Sequence, residues 1–500
     1  MGRNLAKYFL LLSFIEGATV MGAELLGAKM LAPYFGSSLY VWSTVMAITL
    51  GGLALGYFFG GRLSNRNNSE IILYKVLLLA SLFTVLMPYT SKMALYFFGL
   101  RSLLPAVVIS SLFILLPPVF LMGAVSPLII GNISKNGIDS GRAAGTVYAV
   151  STVGGIISTF LFGFYLIPTF GLTFPAIFSG IFLSLLPLIS LVKKKEFNSL
   201  VLFGVIVFAS LFQLYKHSEV AIKENGVVVY KEEGLLGQIL VVDYINDSIS
   251  NQKSRWLYVN GISQTKENAF ARKELGEEKY FTYVFKFSEL LSSLPSDNRE
   301  VLLLGLGGGS IVKHLTENNF NVEVCELDER IYSVAQEYFE LPKKTKVTID
   351  DARHFIKKAK KRYDVIIFDT FKGEETPSHI LTQESLFEIK KMLNPGGYVL
   401  INSFNYIKGE KGLGLQSIYK TLLASGFKTQ VWSTNEDIYD RNLLFIASLN
   451  EVPFKKEYID MNQIDLSNAR ILKDEYPAFE ILNGLASLDW RRNAIQNNSY

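Results

Sequence analysis

Two textures of hydrophobicity divide this chain. Up to about residue 217, apolar blocks of roughly 17 to 25 residues recur, each long enough to cross a hydrocarbon core. They run over Tyr8–Met30, Leu39–Gly61, Ile71–Tyr89, Pro105–Ile130, Gly145–Pro168, Leu172–Val192 and, shortest, Leu200–Tyr215, seven in all. The loops between them are short and no polar face is visible, which argues against buried helices of a soluble protein. Gly52, Gly56 and Gly60 recur at helix-contact spacing, as expected where helices approach closely in lipid. The Pro117-Pro118 pair predicts a kink. Glu16 and Glu24 place carboxylates inside the first block, with Lys29 as a candidate partner; such groups pair or line a pathway.

Beyond Ser218 the period shortens. Gln238–Asp243 and Trp256–Asn260 read as strands of a small antiparallel lead-in, and Glu277–Leu294 as a helix. Strands and helices then alternate, with strands at Val301–Leu304, Val322–Glu326, Lys346–Ile349, Val365–Phe368 and Tyr398–Asn402; Thr429–Ser433 and Leu443–Ala447 close the set. This alternation predicts a parallel sheet with helices on both faces and ligands at the carboxyl ends of the strands. Those ends hold the turn Gly305-Leu306-Gly307-Gly308-Gly309, then Glu326, Asp350-Asp351 and Asp369. A glycine turn between strand and helix brings bare backbone to a ligand, and a carboxylate closing the next strand suits a ribose diol. His379 falls in a loop facing the same ends, as a substrate contact or a cap of the next helix.

Composition sharpens the picture without changing it. Hydrophobic residues make up 49% and charged residues 19% of the 500, too greasy for a soluble chain of this size. A net charge of +4 gives no reason to invoke nucleic acid. One cysteine, Cys325, and four scattered histidines exclude an intrachain disulfide framework and leave no expected metal centre. No cleavable signal peptide is convincing at the N-terminus. The expected organisation is an all-α polytopic membrane domain (1–217), a β-rich lead-in and helix (218–295), a nucleoside-binding α/β domain (296–450) and a helical C-terminal extension (451–500). Lys and Arg favour one set of loops (Arg3, Lys7, Arg62, Arg66, Lys135, Arg142, Lys193-Lys194-Lys195), which places the N-terminus in the cytoplasm. Seven crossings then put the C-terminal half outside, whereas a nucleoside site favours the cytoplasm; the sequence leaves the side open for this multi-pass cell-membrane protein.

From Gln238 to about Phe404 the chain resembles the spermidine synthase family. The resemblance is carried by GISQT (Gly261–Thr265), the helix bearing Tyr283, the glycine turn, CELDERIYSVAQEYF (Cys325–Phe339), DDARHF (Asp350–Phe355) and YDVIIFDTF (Tyr363–Phe371). PSHILT (Pro377–Thr382), LNPGGYVLINS (Leu393–Ser403), ILKDEYPAFEIL (Ile471–Leu482) and the segment Phe35–Gly56 resemble the subgroup fused to a multi-span membrane domain. The resemblance implies a class I methyltransferase-like (Rossmann-like) fold that transfers an aminopropyl group from decarboxylated S-adenosylmethionine to a small amine. It implies that Gly305, Gly307 and Gly309 line the nucleoside, Glu326 holds the ribose hydroxyls, Asp351 the adenine amino group with Asp350 beside it, and Gln264 approaches from the lead-in. Asp369 takes the place of the catalytic carboxylate and Tyr283 that of a tyrosine contacting the amine. Family members often pair through this domain, so a homodimer is expected, with a lipid bilayer as the other partner.

Two departures bear on the acceptor. Polyamine-specific members carry Asp where this chain has Gly308, and a second Asp where it has Lys372. Asp474 and Glu475 are candidates for restoring negative charge. The alternatives are a methyltransferase using S-adenosylmethionine on another small molecule, or a membrane transporter with a nucleoside-sensing domain; a dehydrogenase ranks behind both.

Overall fold

The computed structural model describes residues 2–35, 39–98, 103–135, 139–216, 226–234, 236–247, 252–268, 279–292, 299–371, 376–404, 406–436, 441–452, 458–476 and 478–498. The chain divides into two compact units, 1–220 with 232–237, and 221–231 with 238–500.

The first unit is helical: α1 (Gly2–Phe35), α2 (Leu39–Ser64), α3 (Ser69–Phe98), α4 (Leu103–Gly123), α5 (Val125–Ser134), α6 (Ser140–Leu161), a π-turn (Phe162–Leu166), α7 (Ile167–Phe170), α8 (Thr173–Lys193) and α9 (Asn198–Lys216). Among the described residues, seven helical segments are long and apolar enough to cross a membrane, and they overlay the seven expected blocks. The strongest pairings are α1 with α6, α3 with α8 and α2 with α4. Gly52, Gly56 and Gly60 all face the α4 side: a Cβ on Gly56 would sit 2.7 Å from Gly123 Cα, and one on Gly60 2.7 Å from Ala124 Cα. At Gly56 and Gly60 no side chain larger than hydrogen fits that seam. The helix α4 continues through Pro117 and Pro118 and ends at Gly123. A proline removes one donor but its φ is helical, so the backbone accepts it where packing holds the helix. Lys135 Nζ donates to the carbonyls of Ser64 and Arg66, at 2.8 and 3.1 Å, and Lys194 and Lys75 pair with Glu70 and Glu196. The basic loops after α2, α5 and α8 are therefore gathered at one end of the bundle.

The second unit opens with the sheet β1 (Gly226–Gly234), β2 (Gly237–Asp247), β3 (Gln252–Val259) and β4 (Ile262–Asn268), ordered β1-β2-β3-β4. Asn260-Gly261 turns β3 into β4 with φ of 51° and 77°, the positive values that a two-residue hairpin needs. That dipeptide announced β4, which the sequence reading left out. The helix expected over 277–294 is α10, Thr282–Ser292.

The main sheet has eight strands in the order β12-β10-β11-β9-β8-β5-β6-β7: β5 (Glu300–Leu304), β6 (Asn321–Glu326), β7 (Lys346–Ile349), β8 (Tyr363–Phe368), β9 (Leu393–Ser403), β10 (Lys428–Ser433), β11 (Leu443–Ser448) and β12 (Tyr458–Ile459). Strands β5 to β9 are parallel, and β11 is inserted antiparallel between β9 and β10. This is the methyltransferase-like α/β fold. Its helices are α11 (Ser310–Glu317), α12 (Glu329–Tyr338), α13 (Ala352–Lys358), α14 (Gln383–Met392), α15 (Leu413–Ala424) and α16 (Phe479–Asn498). Val301 and Leu303 join one core with α10, α11 and α12, while Leu302 and Leu304 join another with α13, α14 and α15. Continuous apolar strands thus reflect burial on both faces. β9 begins five residues before expectation, because Asn394–Gly397 forms a bulge beside β8, pinned by Asn394 Nδ2 to Asp364 Oδ1 at 2.7 Å. The C-terminal extension adds the edge strand β12 as well as α16.

Candidate active site

β5 is flanked by β6 on one side and β8 on the other, so successive crossovers leave in opposite directions and a crevice opens above its carboxyl end. The glycine turn lies there. Gly305 (φ 92°) is held by its amide on the Cys325 carbonyl, at 2.8 Å, while the Asp369 amide reaches the Leu304 carbonyl, at 2.9 Å. A side chain on Gly305 would collide with the Asp369 backbone. Gly309 (φ 80°) starts α11.

Glu326 sits beside this turn: Oε2 accepts from the Leu306 amide at 2.8 Å and Oε1 from the Asp328 amide at 2.9 Å. Burial pushes its carboxyl up to about 7, against the pull of those amides. At the end of β7, Asp350 receives His354 Nδ1 at 2.7 Å. Asp351 caps α13 by accepting from the Arg353 and His354 amides, and its Oδ2 lies 3.1 Å from His379 Nε2. Burial opposes its ionisation, but the His354 amide, His379 and the Arg353 amide outweigh it and hold Asp351 below the usual range.

Asp369 extends β8. Its Oδ1 accepts from Asn402 Nδ2 at 2.7 Å, and its Oδ2 from the buried Tyr283 hydroxyl at 3.4 Å. Burial raises it to about 6, with both donors pulling the other way. The same burial and the Asp369 charge drive the Tyr283 hydroxyl well above its ordinary value. Gln264 falls at a shift of register between β3 and β4: Leu257 pairs with Thr265 and Tyr258 with Ser263. Bulges re-aim side chains, often beside active sites. Next to it, Thr265 Oγ1 accepts from the Gly308 amide at 2.8 Å, which ties the lead-in to the glycine turn.

The structure therefore brings Gly305, Gly307, Gly309 and Glu326 together, Tyr283 onto Asp369, and His379 onto Asp351. Several groups escaped the sequence reading. Asn402 orients Asp369 and is itself held by Asn442 Nδ2 at 2.8 Å; its signal was its place at the end of β9. Thr265 and His354 lie within the GISQT and DDARHF segments. Trp490, 4.6 Å from Phe404 between ring centroids, had no local signal. Asp474 is taken by Arg353, at 3.0 Å, and by Thr382, at 2.6 Å, so it anchors the C-terminal segment to α13 rather than charging the amine site. Position 308 is sterically closed: a Cβ there would lie 2.7 Å from Thr265 Cγ2 and 3.0 Å from the Phe339 ring. Lys372 lies outside the described residues.

Residues 284–430 match the spermine/spermidine synthase domain. A polyamine aminopropyltransferase of Vibrio vulnificus is 35% identical over 136 residues, 26% of this chain and 45% of its own length. The chain thus spans less than half of that relative. Polyamine aminopropyltransferase 2 of Aquifex aeolicus is 23% identical over 439 residues, 83% of this chain and 82% of its own, a span that reaches into the apolar half. The solved spermidine synthase of Thermotoga maritima covers 52% of this chain and 88% of its own at 16% identity, with a TM-score of 0.37. Residues 284–430 therefore carry a spermine/spermidine synthase domain, which marks an enzyme, in a chain whose N-terminal half is made of long apolar helices.

Proposed function

We propose that this protein is a membrane-anchored aminopropyltransferase that carries the aminopropyl group of decarboxylated S-adenosylmethionine to a small amine, with the apolar helices crossing the bilayer. The observation that carries this reading is Asp369, a carboxylate raised to about 6 and oriented by Asn402 and Tyr283, beside a glycine turn.

The residues fit a sulfonium nucleoside. Glu326 is a half-buried carboxylate that accepts from the Leu306 and Asp328 amides, so the two hydroxyls of a ribose would complete its shell; Gly305, Gly307 and Gly309 leave backbone bare for the nucleoside, and Asp350, Asp351 and Gln264 stand at its rim. When bound, the donor supplies a carbon activated by positive sulfur, whose C–S bond breaks, leaving its electron pair on sulfur as a neutral thioether, while the new C–N bond forms. Asp369 accepts the proton that the amine nitrogen must shed, and Asn402 and Tyr283 hold the accepting oxygens in line. A carboxyl near 6 is ionised at neutral pH and still basic enough to take a proton. His379 restrains Asp351.

Asp369→Asn tests the assignment: turnover of decarboxylated S-adenosylmethionine with an amine should be lost while nucleoside binding, read by calorimetry, persists. A second reading, methyl transfer from S-adenosylmethionine, is favoured by the closed position 308, which has no room for the Asp of polyamine-specific relatives. Comparing the affinity of the purified protein for the two donors separates the readings.

A further inference from the structure

The register that pairs Asp369 with Asn402 continues one step outward. Phe368 pairs with Ile401, Asp369 receives Asn402, and two residues on, Phe371 and Phe404 lie 5.4 Å apart between ring centroids. Trp490 of α16 joins them from the C-terminal extension, 4.6 Å from Phe404. All three rings are partly exposed. The helix is fixed in place: Asp489 accepts from Tyr406 and from Lys411, the latter at 2.6 Å, and α16 packs on α15, on the turn Glu410–Gly412 and on β4. α16 thus links the β9 loop to the strand that carries Gln264, with an aromatic wall on the side of Asp369.

We propose that Phe371, Phe404 and Trp490 form the acceptor-side wall of the active site, with Trp490 as the residue that selects an acceptor by the ammonium at its far end. This rests on the aminopropyl-transfer reading above. The far ammonium of a diamine needs a negative or π-rich partner. Position 308 has no room for a carboxylate, and the neighbouring Asp489 is neutralised by Lys411. Ring faces are what the described wall offers, and a cation over such faces is held by their quadrupoles.

The test uses the full chain in detergent, with decarboxylated S-adenosylmethionine as donor and 1,4-diaminobutane or n-butylamine as acceptor. For Trp490→Ala, the KM for the diamine should rise about tenfold, and the diamine preference over n-butylamine should shrink, with kcat and donor Kd unchanged. Trp490→Phe should restore most of the preference. An unchanged preference in Trp490→Ala overturns the proposal. So does a parallel loss of donor affinity and thermal stability, which marks a structural role. If the wild type binds the decarboxylated donor but transfers to neither amine, the aminopropyl reading itself falls and takes this inference with it.

Discussion

The two halves of this chain bury opposite things. In the helical half the outward surface is aromatic and aliphatic, with Phe164 73% and Phe208 70% exposed, while Ser13, Thr84, Ser110 and Ser210 are buried. Several of these inner hydroxyls donate to backbone carbonyls, Ser13 to Val147 and Thr84 to Ala80. In the α/β half both faces of the main sheet are apolar and the carboxylates collect at strand ends. Glycine is used in both halves for close approach, but between two helices in one (Gly56 against Gly123) and between backbone and ligand crevice in the other (Gly305 beside Asp369). On the membrane-anchored reading proposed above, the difference is what surrounds each half. A bilayer removes the hydrophobic drive for helix association and leaves packing to do it; water supplies that drive for the sheet.

The comparison can be broken in order of effect. Asp369→Asn should lower kcat about 10²- to 10⁴-fold, with the donor Kd in calorimetry little changed. Leu303→Ala should destabilise the α/β half by about 2–5 kcal/mol, read as loss of the folded fraction in denaturant. The next pair probes the surroundings directly. Phe164→Asp should impair bilayer insertion by about 3 kcal/mol in a glycosylation-reporter assay, whereas Leu423→Asp, also on an exposed site (42%), should shift stability by about 0.5 kcal/mol or less. Equal tolerance at both positions would mean that the π-turn after α6 faces water. A graded effect is expected of pH. Since the carboxyl of Asp369 is raised to about 6, the base is lost as pH falls through that value. The turnover rate should therefore drop about tenfold per unit on the acid side and level off above it. A flat profile from pH 5 to 8 would remove the base assignment.

Much of the site was legible because strand ends and glycine turns are local. A run of apolar residues entering Gly305, and acids closing β6, β7 and β8, mark a crevice in any doubly wound sheet. The Asn260-Gly261 hairpin signal is equally local. What could not be read were contacts made by long-range register. Asn402 reaches Asp369 only because β9 lies beside β8, across 33 residues of chain. Trp490 reaches Phe404 from 86 positions away, and no periodicity encodes that meeting.

By itself, then, the sequence determined where apolar blocks change from bilayer length to strand length, and which strand ends carry acids, because both depend on neighbours along the chain. Tertiary structure alone decided the partners of those acids: Asp474 committed to Arg353, position 308 closed by Thr265 and Phe339, and an aromatic wall assembled from β8, β9 and α16. Each of these turns on which surfaces a folded backbone brings within a few ångströms, and that depends on the register of strands and the seating of a helix far apart in sequence.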